Sequence, residues 1–222
     1  MNDFVKGIYS EYKSLADQQR KIGAEAYLKN QFKFIGLDTK LRRTVFKKFI
    51  SINNLPPYEE LDMIIKSMWS LEREMQYTAI ELSALYKKQW QLPFIKTIEF
   101  FILSSSWWDT VDATSGLSAY YFKTFPSQIN KVTSRWNHSP DIWLQRSSLL
   151  FQLKYKSNTD TSLLSTYINN LSGSKEFFVQ KAIGWILREY AKTDPSWVID
   201  FVRSNSLKPL SRREALKNIQ ES

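Results

Sequence analysis

Apolar residues along this 222-residue chain recur with the three-to-four-residue spacing of a helix face from near the start to the end. No stretch reads as a strand. Boundary signals punctuate the pattern. Pro56-Pro57 followed by Glu59 and Glu60 opens a helix with acidic charge in its first turn, where it complements the helix dipole. Pro93, Pro126, Pro140, Pro195 and Pro209 mark further boundaries, and Thr39 is expected to cap a helix beginning at Lys40. Helices are predicted near 3–16, 21–34, 40–52, 57–69, 72–89, 93–104, 108–123, 127–136, 141–156, 161–171, 175–192, 195–204 and 211–219. No linker separates them, so a single α-helical domain over 1–222 is expected. Only 6 glycines are present, which disfavours the many tight turns of a β fold.

The helices repeat. Met75-Gln76-Tyr77-Thr78-Ala79, Leu144-Gln145-Arg146-Ser147-Ser148 and Val179-Gln180-Lys181-Ala182-Ile183 share an apolar residue, a glutamine, a variable position and small residues. The glutamines stand 69 and 35 positions apart, which leaves room for one more copy near Val111-Asp112-Ala113-Thr114, where the glutamine is lost. Such a period fits helix pairs stacked into an α-solenoid, each pair completing the core of its neighbour. The expected fold is all-α, a right-handed solenoid of HEAT-like helix pairs with a concave binding face.

That register places Tyr77, Asp112, Arg146 and Lys181 at equivalent positions. Trp108 lies four residues before Asp112, and Trp185 four after Lys181, so both indoles share the face of the row. The constellation is one carboxylate, two indoles and adjacent cations; the bland alternative is unrelated surface residues and two core tryptophans. Trp107, Phe177, Phe178 and Ile183 are expected in the core. Asp109 is explained by the helix dipole, and Gly184 by close helix packing.

Composition narrows the chemistry. The chain has 31 Lys+Arg against 22 Asp+Glu, a net charge of +9, which suits a polyanion: nucleic acid or an anionic membrane. No Cys and one His, His138, exclude a thiolate nucleophile, disulfides and multi-His metal sites. His138 sits in a polar turn and reads as an exposed loop residue. Catalysis must therefore rest on carboxylates, Lys/Arg, hydroxyls or aromatic faces, and neither metal nor cofactor is expected. No signal-peptide or membrane-length apolar run is seen, so a soluble, monomeric cytoplasmic protein is expected. Basic clusters at Lys40, Arg42, Arg43, Lys47 and Lys48, at Lys154 and Lys156, at Lys181, Arg188 and Lys192, and at Lys208, Arg212, Arg213 and Lys217 read together as a phosphate track.

The strings Ser106-Trp107-Trp108-Asp109-Thr110-Val111-Asp112, Ile142-Trp143-Leu144-Gln145-Arg146, Phe151-Gln152-Leu153-Lys154-Tyr155-Lys156 and Gly184-Trp185-Ile186-Leu187-Arg188-Glu189-Tyr190 carry a resemblance. The chain resembles the DNA alkylation repair family, alkylpurine DNA glycosylases with HEAT-like repeats, over nearly its whole length. The resemblance implies hydrolysis of the N-glycosidic bond of cationic lesions such as 3-methyladenine and 7-methylguanine in double-stranded DNA, without flipping the base into a pocket. It implies Asp112 as the catalytic carboxylate, Trp108 and Trp185 as indoles around the lesion's deoxyribose, and Arg146 as a residue holding the DNA backbone. It places Tyr27 on a helix that reaches the minor groove. Thr39, Arg43, Lys154, Lys156, Lys181, Arg188, Arg212 and Arg213 are the further expected DNA contacts.

Elementary chemistry agrees with that assignment. A cationic purine leaves as a neutral base without a general acid, and a fixed carboxylate stabilises the oxocarbenium ion left on the sugar. Asp38 departs from the family, which has a neutral side chain there; an anion would weaken DNA binding, with Lys40 in partial compensation. A catalytically silent DNA-binding paralogue and a protein-binding scaffold are the alternatives.

Overall fold

Side chains that accept hydrogen bonds set many of the helix starts. In the computed structural model, which describes residues 2–217, the Asn2 side chain accepts from Phe4 N, Asp17 from Arg20 N and Asp38 from Leu41 N. Asp141, Asp160 and Asp194 do the same for later helices. Such caps satisfy amides that the first helical turn leaves unpaired, each contributing about 1 kcal/mol. Thr39 is therefore not the cap it was expected to be; Asp38 takes that role and Thr39 is the first helical residue.

The described residues are all-helical: thirteen α-helices and no strand. The chain folds as two compact units, residues 1–91 and 92–222. The first carries α1 (Asp3–Ser14), α2 (Gln18–Tyr27), α3 (Thr39–Asn53), α4 (Leu61–Trp69) and α5 (Arg73–Leu85). Helix α1 packs on α3 and α4, and α5 on α3 and α4. They bury Val5, Ile8, Tyr12, Ile64, Ile65, Met68, Met75, Ala79 and Leu82.

Helix α2 ends seven residues before its predicted end. Lys29 and Asn30 adopt φ of 55° and 57°, in the left-handed region, and the segment to Asp38 runs without regular structure. Carboxylates satisfy its amides instead. Glu25 Oε1 accepts from Phe34 N, and the buried Glu74 accepts from Ile35, Gly36 and Leu37 N at 2.8–3.1 Å. Gly36 has φ 108°, and a Cβ there would fall 2.1 Å from Asp17 O, so only glycine fits.

The second unit carries α6 (Ile95–Leu103), α7 (Trp108–Thr124), α8 (Ile129–Asn137), α9 (Ile142–Leu150), α10 (Thr161–Leu171), α11 (Phe177–Tyr190), α12 (Pro195–Ser204) and α13 (Pro209–Leu216). Helices α7, α9, α11 and α13 pack as successive neighbours. Leu149, Leu150, Leu164, Ile168, Val179, Ile183, Ile186, Leu187, Val198 and Val202 form a core among α9 to α12. Helix α9 stops six residues short of its prediction; turns follow, with Tyr155 donating to Ala119 O.

The repeated glutamines have a structural task. Gln145 Nε2 donates to Ser139 O and Gln180 Nε2 to Ser174 O, each six residues back. Gln76 Nε2 reaches Trp69 O, seven back. Each side chain clasps the turn that leads into its own helix.

Candidate active site

Asp112, on α7, projects toward α9, where Arg146 meets it with two parallel hydrogen bonds: Nε to Oδ1 at 2.7 Å and Nη2 to Oδ2 at 2.9 Å. Arg146 Nη1 donates to Phe178 O at 2.6 Å, and its guanidinium carbon lies 5.8 Å from the Trp185 ring centroid. Arg146 is only 4% exposed. Burial pushes the Asp112 carboxyl above the ordinary aspartate value, with the Arg146 bonds and charge acting against that push.

These residues line a cavity of about 320 Å³ together with Trp108, Phe177, Phe178, Lys181 and Arg188. Lys181 and Trp185 stand four apart on α11 and Arg188 two turns beyond Lys181, on one face of the helix. Lys181 and Arg188 both pair with Glu214 of α13, at 3.0 and 2.6 Å. Those two bonds hold the Glu214 carboxyl down to about 2.

The structure thus brings together Asp112, Trp108, Trp185, Arg146, Lys181 and Arg188, all expected from sequence. Arg146 is placed inside, against Asp112, and not on an open surface. Lys154, Lys156, Arg212 and Arg213 are exposed and outside the cavity lining. In the first unit, Thr39 and Arg43 are exposed on α3, with Arg43 bound to Glu81 at 2.7 Å. Tyr27, at the end of α2, is 72% exposed. Arg42, counted in a basic cluster, is instead buried and doubly bonded to Glu81; the α3 face it occupies turns inward. Asp38 forms an ion pair with Arg20, at 3.0 Å, and the Lys40 charge also favours its ionised form.

Phe177 and Phe178 are not core. Phe177 is 57% exposed, because the first turn of α11 extends to the cavity rim, and Phe178 is half-buried. Trp107 is half-buried against Trp143 and Phe178. His138 is exposed, with Nδ1 2.8 Å from Ser134 O. Sequence reasoning missed Glu214; its one signal was an acid embedded in the basic run Arg212-Arg213-Glu214. Among the described residues no group of His, Cys, Asp and Glu is placed to hold a metal ion, and no helix is long and apolar enough to cross a membrane.

Comparison with known proteins follows this geometry. The family model for DNA alkylation repair enzymes matches residues 8–219. A solved structure described as a predicted DNA alkylation repair enzyme from Enterococcus faecalis is similar, with a TM-score of 0.87 and 29% identity, over 93% of this chain and 98% of that one. No curated protein matches.

Proposed function

The chain belongs to the family of DNA alkylation repair enzymes, and we propose that it is a DNA glycosylase that excises cationic alkylated purines from duplex DNA without extruding the base. The observation that carries this reading is a carboxylate, Asp112, fixed by two Arg146 bonds and facing a cavity lined by two indoles. In this reading the C1′–N bond breaks and its electron pair neutralises the departing base, so no proton donor is needed. Positive charge develops on the sugar, where Asp112 stabilises it electrostatically and the Trp108 and Trp185 faces add cation–π attraction. Water then adds at C1′ and passes its proton to Asp112, leaving an abasic sugar.

Arg146 has five N–H groups. Three are used within the protein, so its first role is to orient Asp112, with two left for a phosphate. Lys181 and Arg188 stand at the cavity for the flanking backbone. Tyr27, Thr39, Arg43, Lys154, Lys156, Arg212 and Arg213 provide further contacts to duplex DNA.

The test is single-turnover release of 7-methylguanine from a defined duplex by the parent and by Asp112→Asn. Loss of at least about 10²-fold in the variant is expected, the scale of removing a preorganised electrostatic group. Equal release by both would refute the role of Asp112. Release by neither, with salt-dependent duplex binding intact, would make the chain a silent DNA-binding member of its family.

A further inference from the structure

Three cations line the cavity, yet each is bound to a carboxylate. Arg146 is held by Asp112, and Lys181 and Arg188 by Glu214. Glu214 sits between two cations that stand two turns apart on α11, and Arg188 Nη1 also donates to Glu214 O at 3.1 Å. The seat is built for this. Gly184 lies midway between Lys181 and Arg188, and a Cβ there would fall 2.4 Å from Glu214 Cβ and 2.9 Å from Ser211 O. Ser211 Oγ donates to Gln180 O at 3.0 Å. Helix α13 is thereby pressed onto α11 at the one place where the side chain of 184 is missing. The Glu214 side chain, 12% exposed, is directed at both cations.

A site evolved only for phosphate affinity has no use for this carboxylate. The substrate class proposed above does. A cationic base must approach the cavity, and uncompensated lysine and arginine charges would repel it while attracting any undamaged duplex. Two carboxylates thus offset the three cations of the cavity, Asp112 within the lining and Glu214 bonded to Lys181 and Arg188 from outside it, in a protein whose net charge is +9. We propose that Glu214 is a positioning and specificity-determining residue: it holds Lys181 and Arg188 at the cavity and limits their charge, favouring duplexes with a cationic lesion over undamaged ones. This rests on the DNA-glycosylase reading and adds to it a source of discrimination.

The experiment is equilibrium binding of the parent, Glu214→Gln and Glu214→Asp to two duplexes, unmodified and carrying one 7-methylguanine, between 50 and 200 mM salt, with a thermal melt of each protein. Glu214→Gln should bind the unmodified duplex more tightly and with a steeper salt dependence. Each released cation that gains a phosphate adds about 0.9 to the slope, about a 3.5-fold greater loss over that salt range. Its preference for the lesion duplex should fall, and Glu214→Asp, which keeps the charge, should retain the parent's slope and preference. An unchanged slope and preference in a folded Glu214→Gln overturns the inference, as does a loss of affinity for both duplexes alike, the mark of a mere brace. If Glu214→Gln does not fold, Glu214→Asp decides. A parent-like slope with a lower lesion preference would then reject the positioning role, and parent values in both would support it. Failure of the parent to bind duplex at all would instead overturn the DNA reading, and this inference with it.

Discussion

Replacing Arg146 by Met keeps an unbranched apolar stem and removes every hydrogen bond the guanidinium makes. Two of those bonds end on Asp112 and one on Phe178 O. Hydrogen bonds to charged groups contribute about 1.5–3 kcal/mol each, and breaking a buried ion pair by removing one partner costs about 3–5 kcal/mol. The Asp112 side chain retains 19% exposure and can take up a proton, which points to the lower end, about 3 kcal/mol. In a chain of this size each kcal/mol lowers Tm by about 2–4 °C, so a fall of roughly 6–12 °C is expected. The sign of the pH effect follows. Burial already raises the Asp112 pKa, and the Arg146 bonds and charge are what lower it. Without them it rises further, more Asp112 is protonated at a given pH, and the acid limb of the excision rate moves to higher pH. The assay is the pH dependence of single-turnover 7-methylguanine release, below the variant's melting range. An arginine that only held phosphate would raise KM and leave that limb in place. An unmoved limb would therefore refute the orienting role. The double variant Arg146→Met/Asp112→Asn should melt above Arg146→Met, since no charge is left stranded.

Asp38→Asn should leave the melt nearly unchanged, because Asn caps helices as well as Asp, while freeing Arg20 and raising duplex affinity; weaker binding in a titration would contradict this. Gly184→Ala gains about 1 kcal/mol of helix propensity but overpacks α13 at a cost of about 1–3 kcal/mol. The expected net is a loss of roughly 0–2 kcal/mol by denaturant titration, with a steeper salt dependence as Glu214 is pushed from its cations. A clear gain in stability would show that α13 does not bear on Gly184.

The thirteen helices of the described residues were legible in the spacing of apolar residues and the placement of prolines, because both report local conformation; the last two residues predicted for α13, 218 and 219, lie outside the described residues. The ends of α2 and α9 were not. The left-handed turn at Lys29 and Asn30 ends α2, and the irregular segment beyond it is held by the distant Glu74, whose grip on the Ile35, Gly36 and Leu37 amides has no signal near that segment. The grouping of Asp112, Arg146, Lys181, Trp108 and Trp185 was legible because one repeat register carries all five. Glu214 was not, since the feature that seats it is an absent side chain on another helix. Arg42 and Arg43 show the limit of reading charge alone: adjacent in sequence, one is buried against Glu81 and the other is exposed.

The glutamine clasps have a consequence for how activity is lost. Each closes within seven residues, so each turn and its helix can form before any remote part of the chain is in place, and folding can propagate from pair to neighbouring pair. Asp112, Arg146 and Lys181, by contrast, are spaced 34 and 35 positions apart and meet only when three successive helices have docked. Undocking of α11 would erase the cavity while nearly every clasp and helical turn survives. Far-ultraviolet circular dichroism would register such a molecule as folded, and its DNA chemistry would already be gone.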